Sequence, residues 1–551
     1  MTVYLFLNPA GEATAQKLVK ALGGEARSAR PDPVAVLQEV FAQGRSIVAL
    51  MAAGIVIRAL ASKLTDKTVE PPVLAVAADG SAVVPLLGGH RGANALARRM
   101  AEVLGSAPAI TTAGDVLHGL ALDEPPAGWK VSHPELAKPL MASLAAGGEA
   151  AVLETYRNAT GFALHPPVLA LGVGCERNAA PEELRDLVLA TLQAHDLSPL
   201  AVACVVSLDL KSDERAVLDL AKTLDVPARF FSADQLEAVA DRLHHPSNTV
   251  FAEVGCHGVA EGAALAAGGP KSTLLVAKTK SARATCAVAL SPHPIDPEQV
   301  GRGQGRLFVV GIGPGAAEWR TPEVTAAVTQ AEVLVGYGLY LDLLGLDKPR
   351  EQTALGEEEG RARRALELAA QGKTVALVCS GDAGIYALAS LVFELLERGD
   401  DPAWSRVAVT VCPGVSALQA AAARAGAPLG HDFCTISLSD LLTPRDVILR
   451  RLEAAAQGDF VTAFYNPVSQ RRRDLLGEAK TILLRHRPPQ TPVVLARNLG
   501  RDGETVTIID LAELEVDQVD MLTLVLVGNS ETRRTGRWVY TPRGYAGKHG
   551  T

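Results

Sequence analysis

The chain has 551 residues, 48% of them apolar and 21% charged, with a formal net charge of -8. That length is ample for roughly three to four domains with cores of their own, and the acidic balance excludes the electrostatic footprint of a nucleic-acid or anionic-membrane binder. Seven cysteines stand singly with no Cys-x-x-Cys pair, which argues for a reducing compartment and against a disulfide framework or a structural zinc site, so no metal is expected.

The opening residues lack a basic flank, a long apolar core and a cleavage site, and no later apolar run reaches the ~18 residues of a membrane span. A cytoplasmic protein with no membrane partner is therefore expected. Residues 3–7 read as a strand, 12–22 as a helix and 46–51 as a second strand, an alternation that predicts a parallel sheet with crossover helices. Residues 74–76, the turn signal Asp79-Gly80 and residues 82–87 predict a hairpin, which delivers the chain to Gly88-Gly89-His90-Arg91-Gly92-Ala93-Asn94. Leu96, Met100, Val103 and Leu104 then recur on one helical face. His90 and Arg91 thus precede a helix N-terminus, whose free N–H groups and dipole favour an anion. The same glycines equally serve a tight turn with His90 as a cap.

Residues 116–165 read as a connecting region with two short helices, broken at Pro125-Pro126. Residues 168–173 form a strand ending in Gly174-Cys175-Glu176-Arg177, after which Pro181 opens a helix buried through Leu184, Leu187, Val188 and Leu192. Asp209, Asp213 and Glu214 fall at a strand-to-helix junction, where first-turn carboxylates are favoured electrostatically. Cys256-His257 has no third spaced ligand, which favours a tight turn over a metal site or nucleophile. Glu253 and Glu261 flank that turn, and the Ala-rich helix opened by Glu261 permits close packing against a second chain or a ligand.

Three features of this first half resemble the cobalt-precorrin-5A hydrolase family: Leu87-Gly88-Gly89-His90 with Thr111-Thr112-Ala113-Gly114-Asp115; Leu171-Gly172-Val173-Gly174-Cys175-Glu176-Arg177; and Gly258-Val259-Ala260-Glu261-Gly262 with Leu274-Leu275-Val276-Ala277-Lys278. Arg91 and Gly114 depart mildly from the family pattern. The resemblance implies hydrolysis of the ring A δ-lactone of cobalt-precorrin-5A with release of acetaldehyde. Lactone opening needs an activated water, followed by a group that manages a proton as the carbon-carbon bond breaks. A histidine on a flexible loop suits this work, so His90 leads as the catalytic residue, with Asp79, Asp209 or Glu253 as its partner and Arg91 as a substrate contact.

Residues 291–306 hold three prolines and three glycines without apolar periodicity and read as a linker. An apolar strand from 307 then runs into Gly311-Ile312-Gly313-Pro314-Gly315, and Thr321-Pro322-Glu323 makes a coherent helix start. Strands at 333–335, 374–379 and 407–411 end in glycine loops of their own, the arrangement by which open α/β sheets bind ligands at strand carboxyl ends. The first loop lacks the dinucleotide glycine spacing, Pro314 removes a donor, and no Gly-Lys-Ser/Thr follows, so an NAD or ATP enzyme is disfavoured.

Five ordered motifs instead resemble the tetrapyrrole methyltransferase family: Gly311 to Gly315, Gly381-Asp382 to Tyr386, Pro413-Gly414-Val415-Ser416-Ala417, Tyr465-Asn466-Pro467, and Arg497-Asn498 with Gly503-Glu504. Val335-Gly336-Tyr337 and Phe464-Tyr465-Asn466-Pro467-Val468-Ser469 point to its precorrin-3B C17-methyltransferase branch. The resemblance implies S-adenosylmethionine held between two α/β lobes by Gly381, Asp382, Ile385, Tyr386, Ser416, Ala417 and Asn466, with Gly313, Pro314 and Gly315 bordering the tetrapyrrole. It further implies precorrin or cobalt-precorrin substrates and a homodimer through the methyltransferase domain. Taken alone, Asp382 reads as a turn residue satisfying its own backbone. Arg471, with Arg472 and Arg473, reads either as a solvated helix start or as a partner for substrate carboxylates.

The fold expected is α/β throughout, with two small α/β domains in the N-terminal half and a two-lobed tetrapyrrole methylase fold in the C-terminal half. The limits expected are 1–115 and 166–290 for the hydrolase domains around the connecting region 116–165, then the linker 291–306 and the methyltransferase domain 307–551. Beside a bifunctional enzyme stands the alternative of a methyltransferase fused to a non-catalytic carrier of corrinoid intermediates.

Overall fold

The computed structural model describes residues 2–65, 70–111, 122, 125–126, 128–145, 153–354, 356–469 and 472–545, the side chains of 90, 144 and 145 excepted. The chain divides into two compact units, the first of residues 1–206, 219–227 and 233–300 and the second of 207–218, 228–232 and 301–551.

The first unit opens with a six-stranded sheet in the order Glu25–Ser28, Val3–Phe6, Ile47–Leu50, Val73–Val76, Ala82–Leu87, Ala107–Pro108. The pairs among its first four strands are parallel, and Ala82–Leu87 returns antiparallel, which is the hairpin read from Asp79-Gly80. Alternate residues face opposite sides of a strand. Val3, Leu5, Ile47 and Ala49 accordingly pack against Leu37, Val40 and Val56 on one face, and Tyr4, Val48 and Leu50 against Leu18, Ala97 and Met100 on the other. Within 116–165, the described residues form a three-stranded sheet of Lys130–Ser132, Ala163–His165 and Leu153–Glu154 beside a helix, Ala137–Ala145. Strands of two or three residues are too short to show a period of two, so this sheet leaves no mark in the sequence.

In the next domain Leu169–Cys175 pairs parallel with Val202–Leu208 and antiparallel with Ala284–Leu290, which in turn pairs with Thr273–Lys280. The Ala-rich helix Val259–Gly268 lies on this sheet. A side chain at Gly172 would put its Cβ 2.7 Å from the amide nitrogen of Ala264, so only glycine lets the helix lie this close. The small residues of the helix therefore serve its own sheet, burying Ala260, Ala263 and Ala264.

The second unit contains two lobes. All neighbouring strands of the first are parallel, in the order Arg350–Thr353, Val333–Tyr337, Thr374–Cys379, Arg306–Gly311, Ala408–Cys412. The second lobe is mixed, in the order Phe433–Ser437, Val461–Tyr465, Thr523–Val527, Pro492–Arg497, Thr505–Asp510. The residues read as a linker are anchored. Arg302 exchanges both backbone hydrogen bonds with Phe230, at 2.7 and 2.9 Å, and pairs with Asp209 at 2.5 Å.

Candidate active site

Three strand ends of the first lobe meet at one point. Gly313 and Gly381 exchange backbone hydrogen bonds of 3.1 and 2.8 Å, while Asp382 accepts from the N–H of Gly384 at 2.8 Å and from that of Gly414 at 3.0 Å. A Cβ on Gly414 would fall inside contact distance of the carbonyl oxygens of both Gly311 and Gly381. The carboxylate of Asp382 thus joins its own turn to the Pro413-Gly414 loop, combining the turn role with a second, longer-range one.

The second lobe supplies the facing wall. Ser416 begins the helix Ala417–Ala425 with a capping box shared with Gln419, and the Tyr465 hydroxyl accepts from Leu418 N–H at 3.1 Å. Burial pushes the Tyr465 phenol above its ordinary pKa. The Tyr386 ring lies 5.1 Å from that of Tyr465, and its hydroxyl donates to the Thr435 carbonyl at 3.0 Å. Tyr386 holds φ at +52° and Asn466 at +49°. For tyrosine this is a conformation of real cost, of the kind that collects at functional sites. The Asn466 amide donates to Ser437 Oγ at 3.1 Å.

A cavity of about 170 Å³ opens among these loops, lined on one side by Pro314, Tyr340 and Ser380 and on the other by Ala417, Tyr465 and Asn466. Ala496, Asn498, Leu499, Arg501 and the segment Met521–Leu524 complete it. Arg501 donates from Nε to the Pro314 carbonyl at 2.7 Å and from Nη2 to Ser380 Oγ at 3.0 Å, with its guanidinium 5.8 Å from the centre of the Tyr340 ring. Its loop is anchored by Glu504, which accepts from Gly500 N–H at 2.6 Å and from Arg424 at 2.7 Å. Burial raises the Tyr340 phenol, against a lowering contribution from Arg501. The Cys379 thiol, buried nearby, is pushed up to about 11 and is inert at neutral pH.

Of the residues named from sequence for this site, Pro314, Ala417 and Asn466 line the cavity. Gly313, Gly381, Asp382 and Ser416 build the loops, Gly315 lies against Gly500 and Arg501, and Ile385 with Tyr386 is exposed. Arg471 lies outside the described residues. Its neighbours are engaged elsewhere, Arg472 with the Leu438 carbonyl and Arg473 with Asp517. Arg501 escaped the sequence reading although it sits between Arg497-Asn498 and Gly503-Glu504, both part of the motif. An arginine inside a turn carries no signal of its own.

In the first unit, Gly89–Arg91 forms one 3₁₀ turn ahead of the helix Ala93–Leu104, as the glycines predict, and the side chain of His90 lies outside the described residues. Arg91 is exposed. Asp79 accepts from the N–H and hydroxyl of Ser81 at 3.0 and 2.7 Å, which lowers its pKa. Asp209 pairs with Arg302, and Glu253 is exposed on the helix Asn248–Val254. Two histidine–carboxylate couples missed by the sequence reading, His245 with Glu261 and His257 with Glu237, stand in the domain of Glu253. Among the described residues, no group of three or more His, Cys, Asp or Glu is placed to hold a metal ion, and no helix is long and apolar enough to cross a membrane.

Residues 306–515 match the Tetrapyrrole (Corrin/Porphyrin) Methylases, 169–289 the Cobalamin synthesis G C-terminus, and 35–115 the Cobalamin synthesis G N-terminal family. A precorrin-3B C(17)-methyltransferase of Sinorhizobium is 47% identical over 251 residues, which make up 44% of this chain and 98% of that protein. A cobalt-factor III methyltransferase of Priestia megaterium is 45% identical over 253 residues, 45% of this chain and 46% of the relative, so the match spans about half the length of that protein. Among solved structures, the methyltransferase CobJ is 42% identical, with 43% of this chain and 100% of that one covered at a TM-score of 0.42.

Proposed function

The chain belongs to the tetrapyrrole methylases, as a cobalamin-biosynthesis methyltransferase of the C17 type that also carries cobalamin synthesis G domains, and from this premise we propose that it is a bifunctional enzyme. Its second unit methylates C17 of precorrin-3B, or of the cobalt form, and contracts the ring. Its first half opens the ring A lactone of cobalt-precorrin-5A and releases acetaldehyde. The observation that supports the methyltransferase reading best is that Pro314, Ala417 and Asn466, from three loops separated by more than a hundred residues of chain in total, line one cavity.

The cofactor is S-adenosylmethionine, which supplies a methyl group already activated on a sulfonium. The residues present fit it. Asn466 offers an amide, Ala417 and Leu522 apolar walls for an adenosine, and Tyr465 an aromatic face suited to a cation.

The protein's task is orientation, because in-line transfer between two held groups needs placement more than a strong base. Gly381, Ile385, Tyr386, Ser416, Ala417 and Asn466 hold the cofactor, and Asp382 contributes by fixing the amides of Gly384 and Gly414. Gly313, Pro314 and Gly315 border the tetrapyrrole. Arg501, a cation held at Pro314, repels a sulfonium and suits a carboxylate, which supports assigning the macrocycle's acid side chains to its side of the cleft. For the first half, His90 and Arg91 are assigned to the substrate because their turn precedes the helix Ala93–Leu104, whose N-terminus favours an anion. The homodimer proposed through the methyltransferase domain has the exposed Leu441 and Leu442, 76% and 97% accessible, as candidate contacts.

Anaerobic turnover of the full chain with C20-hydroxylated precorrin and its cobalt form, side by side, tests the methylase reading by product mass. Gain of one methyl with S-adenosylmethionine is expected on one of the two, and no gain on either sinks it. Acetaldehyde release from cobalt-precorrin-5A tests the hydrolase reading. Its absence would leave the first half as a carrier.

A further inference from the structure

We propose that His245 is the general base that activates water for lactone opening, with Glu261 as its positioning residue; this rests on the hydrolase reading of the first half. Glu261 is only 2% exposed, in the first turn of the helix Val259–Gly268. Its carboxylate accepts four hydrogen bonds: from the backbone N–H of His244 and His245 at 2.8 and 2.9 Å, from the N–H of Lys278 at 2.8 Å, and from Nδ1 of His245 at 2.8 Å. Burial alone would raise its pKa, but the bonds from His245, Lys278 and His244 outweigh this and hold it below the ordinary carboxylate range. Glu261 is therefore ionised at neutral pH and can only accept.

An acceptor at Nδ1 fixes the tautomer of the imidazole. The proton resides on Nδ1, and Nε2 of the neutral ring keeps its lone pair. The three backbone donors already satisfy a carboxylate that merely staples the loop to the sheet. The fourth bond goes instead to a side chain that is 55% exposed, which loop stapling does not require. A buried, ionised carboxylate that orients a partly exposed imidazole through Nδ1 is the arrangement by which enzymes make a histidine a base.

The surroundings suit the reaction. Lys278, on the strand Thr273–Lys280, donates from its ammonium to the carbonyl of His245 at 3.4 Å, a cation beside that loop for a substrate that bears carboxylates. Ser247 N–H donates to the His257 carbonyl at 2.8 Å, so the loop of His245 is bonded to the one that carries the second couple. There Glu237 accepts from Nδ1 of His257 at 2.8 Å, and the ring stacks on Phe251 at 4.5 Å.

In the step assigned, Nε2 of His245 takes a proton from water as the water oxygen bonds to the lactone carbonyl carbon. The carbonyl pair moves to oxygen and returns as the ring C–O bond breaks, and the departing alkoxide takes a proton. One water is consumed, giving a carboxyl group and a hydroxyl. In the later fragmentation the hydroxyl loses its proton, its carbon becomes the carbonyl carbon of acetaldehyde, and the C–C electron pair stays with the macrocycle, which takes up a proton. The turn of His90 remains assigned to that second proton.

The test uses the full chain with His245→Ala and His245→Gln, incubated anaerobically with cobalt-precorrin-5A. Both variants are expected to lose about 100-fold in acetaldehyde release and to leave intact lactone, with added imidazole restoring part of the rate to His245→Ala. Glu261→Gln is expected to lower kcat with little change in KM. Thermal unfolding separates a folding defect from a chemical one. Release within threefold of wild type in the folded His245 variants overturns the assignment. So does build-up of a ring-opened product one water heavier than the substrate, because it places His245 after the hydrolysis. If the wild-type chain releases no acetaldehyde, the hydrolase reading falls and this assignment with it.

Discussion

Arg501 holds the Pro314 carbonyl at 2.7 Å across 187 residues of chain, joining a turn of the second lobe to the Gly-Pro-Gly loop of the first. A second bond, to Ser380, ties the same guanidinium to the loop that carries Asp382. Arg501→Ala removes both bonds and the cation. With a hydrogen bond from a charged group contributing about 1.5–3 kcal/mol, kcat/KM for methylation should fall roughly 10- to 100-fold, chiefly through KM for the tetrapyrrole. Arg501→Lys should restore only part of it, because an ammonium cannot reproduce the planar fork. Steady-state methylation with each substrate varied in turn checks this. An unchanged tetrapyrrole KM would remove Arg501 from the substrate side.

Asp382 uses both carboxylate oxygens on backbone amides, one within its own turn and one at Gly414. Asp382→Ala leaves two N–H groups without acceptors, each costing about 1–3 kcal/mol where water cannot replace the partner. S-adenosylmethionine should bind roughly tenfold or more weakly in titration calorimetry, while Asp382→Asn, which keeps one acceptor, should fall between. Unchanged affinity in the alanine variant would refute the role.

Gly414 faces the carbonyl oxygens of Gly311 and Gly381, both backbone atoms that cannot swing aside. Gly414→Ala must therefore push the three loops apart, at a cost of about 1–3 kcal/mol or more. The expected result is a lowered melting temperature for the methyltransferase unit and loss of the stabilisation expected of S-adenosylhomocysteine in the wild type. Differential scanning with and without that ligand reads both. A variant that melts and binds normally would show that the loops meet less tightly than the glycines indicate.

The sequence made the methylase loops legible because each ends a short apolar strand in a glycine turn, and strand carboxyl ends converge in an open α/β sheet. Pro314, Ala417 and Asn466 were within reach for that reason. Arg501 was not, because its partners are a carbonyl and a hydroxyl far away in the chain. Nearness in sequence puts Glu253 and Glu261 beside the Cys256-His257 turn and gives no sign of Glu237. The helix Asn248–Val254 turns Glu253 outward, however, and the end of the short helix Ala233–Glu237 brings Glu237 to His257. His245 and Glu261 stand 16 residues apart, joined through a loop and a helix start, and no periodicity predicts such a pair. The proline- and glycine-rich composition of 291–306 marks irregular backbone but says nothing of Arg302, whose bonds to Phe230 and Asp209 fix its place.

The buried carboxylate of Glu261 should also make the first half sensitive to acid. Its folded pKa lies below the ordinary value, because the bonds from His245, Lys278 and His244 outweigh the effect of burial. Linkage then gives a stabilising contribution that is fully present above the unfolded carboxylate pKa and is lost as pH falls through the folded one. On lowering pH from about 5 toward 3, across the unfolded glutamate value of ~4.3, the wild type should lose this contribution. Glu261→Gln has nothing there to titrate. It should be less stable at neutral pH by about 2 kcal/mol, because its amide N–H group meets the backbone donors of the loop, and the gap to wild type should narrow in acid. The measurement is the melting transition that S-adenosylhomocysteine does not shift, followed for both proteins from pH 7 to pH 3.5. A gap that stays constant over this range would mean that Glu261 does not carry the charge on which its hold over His245 depends.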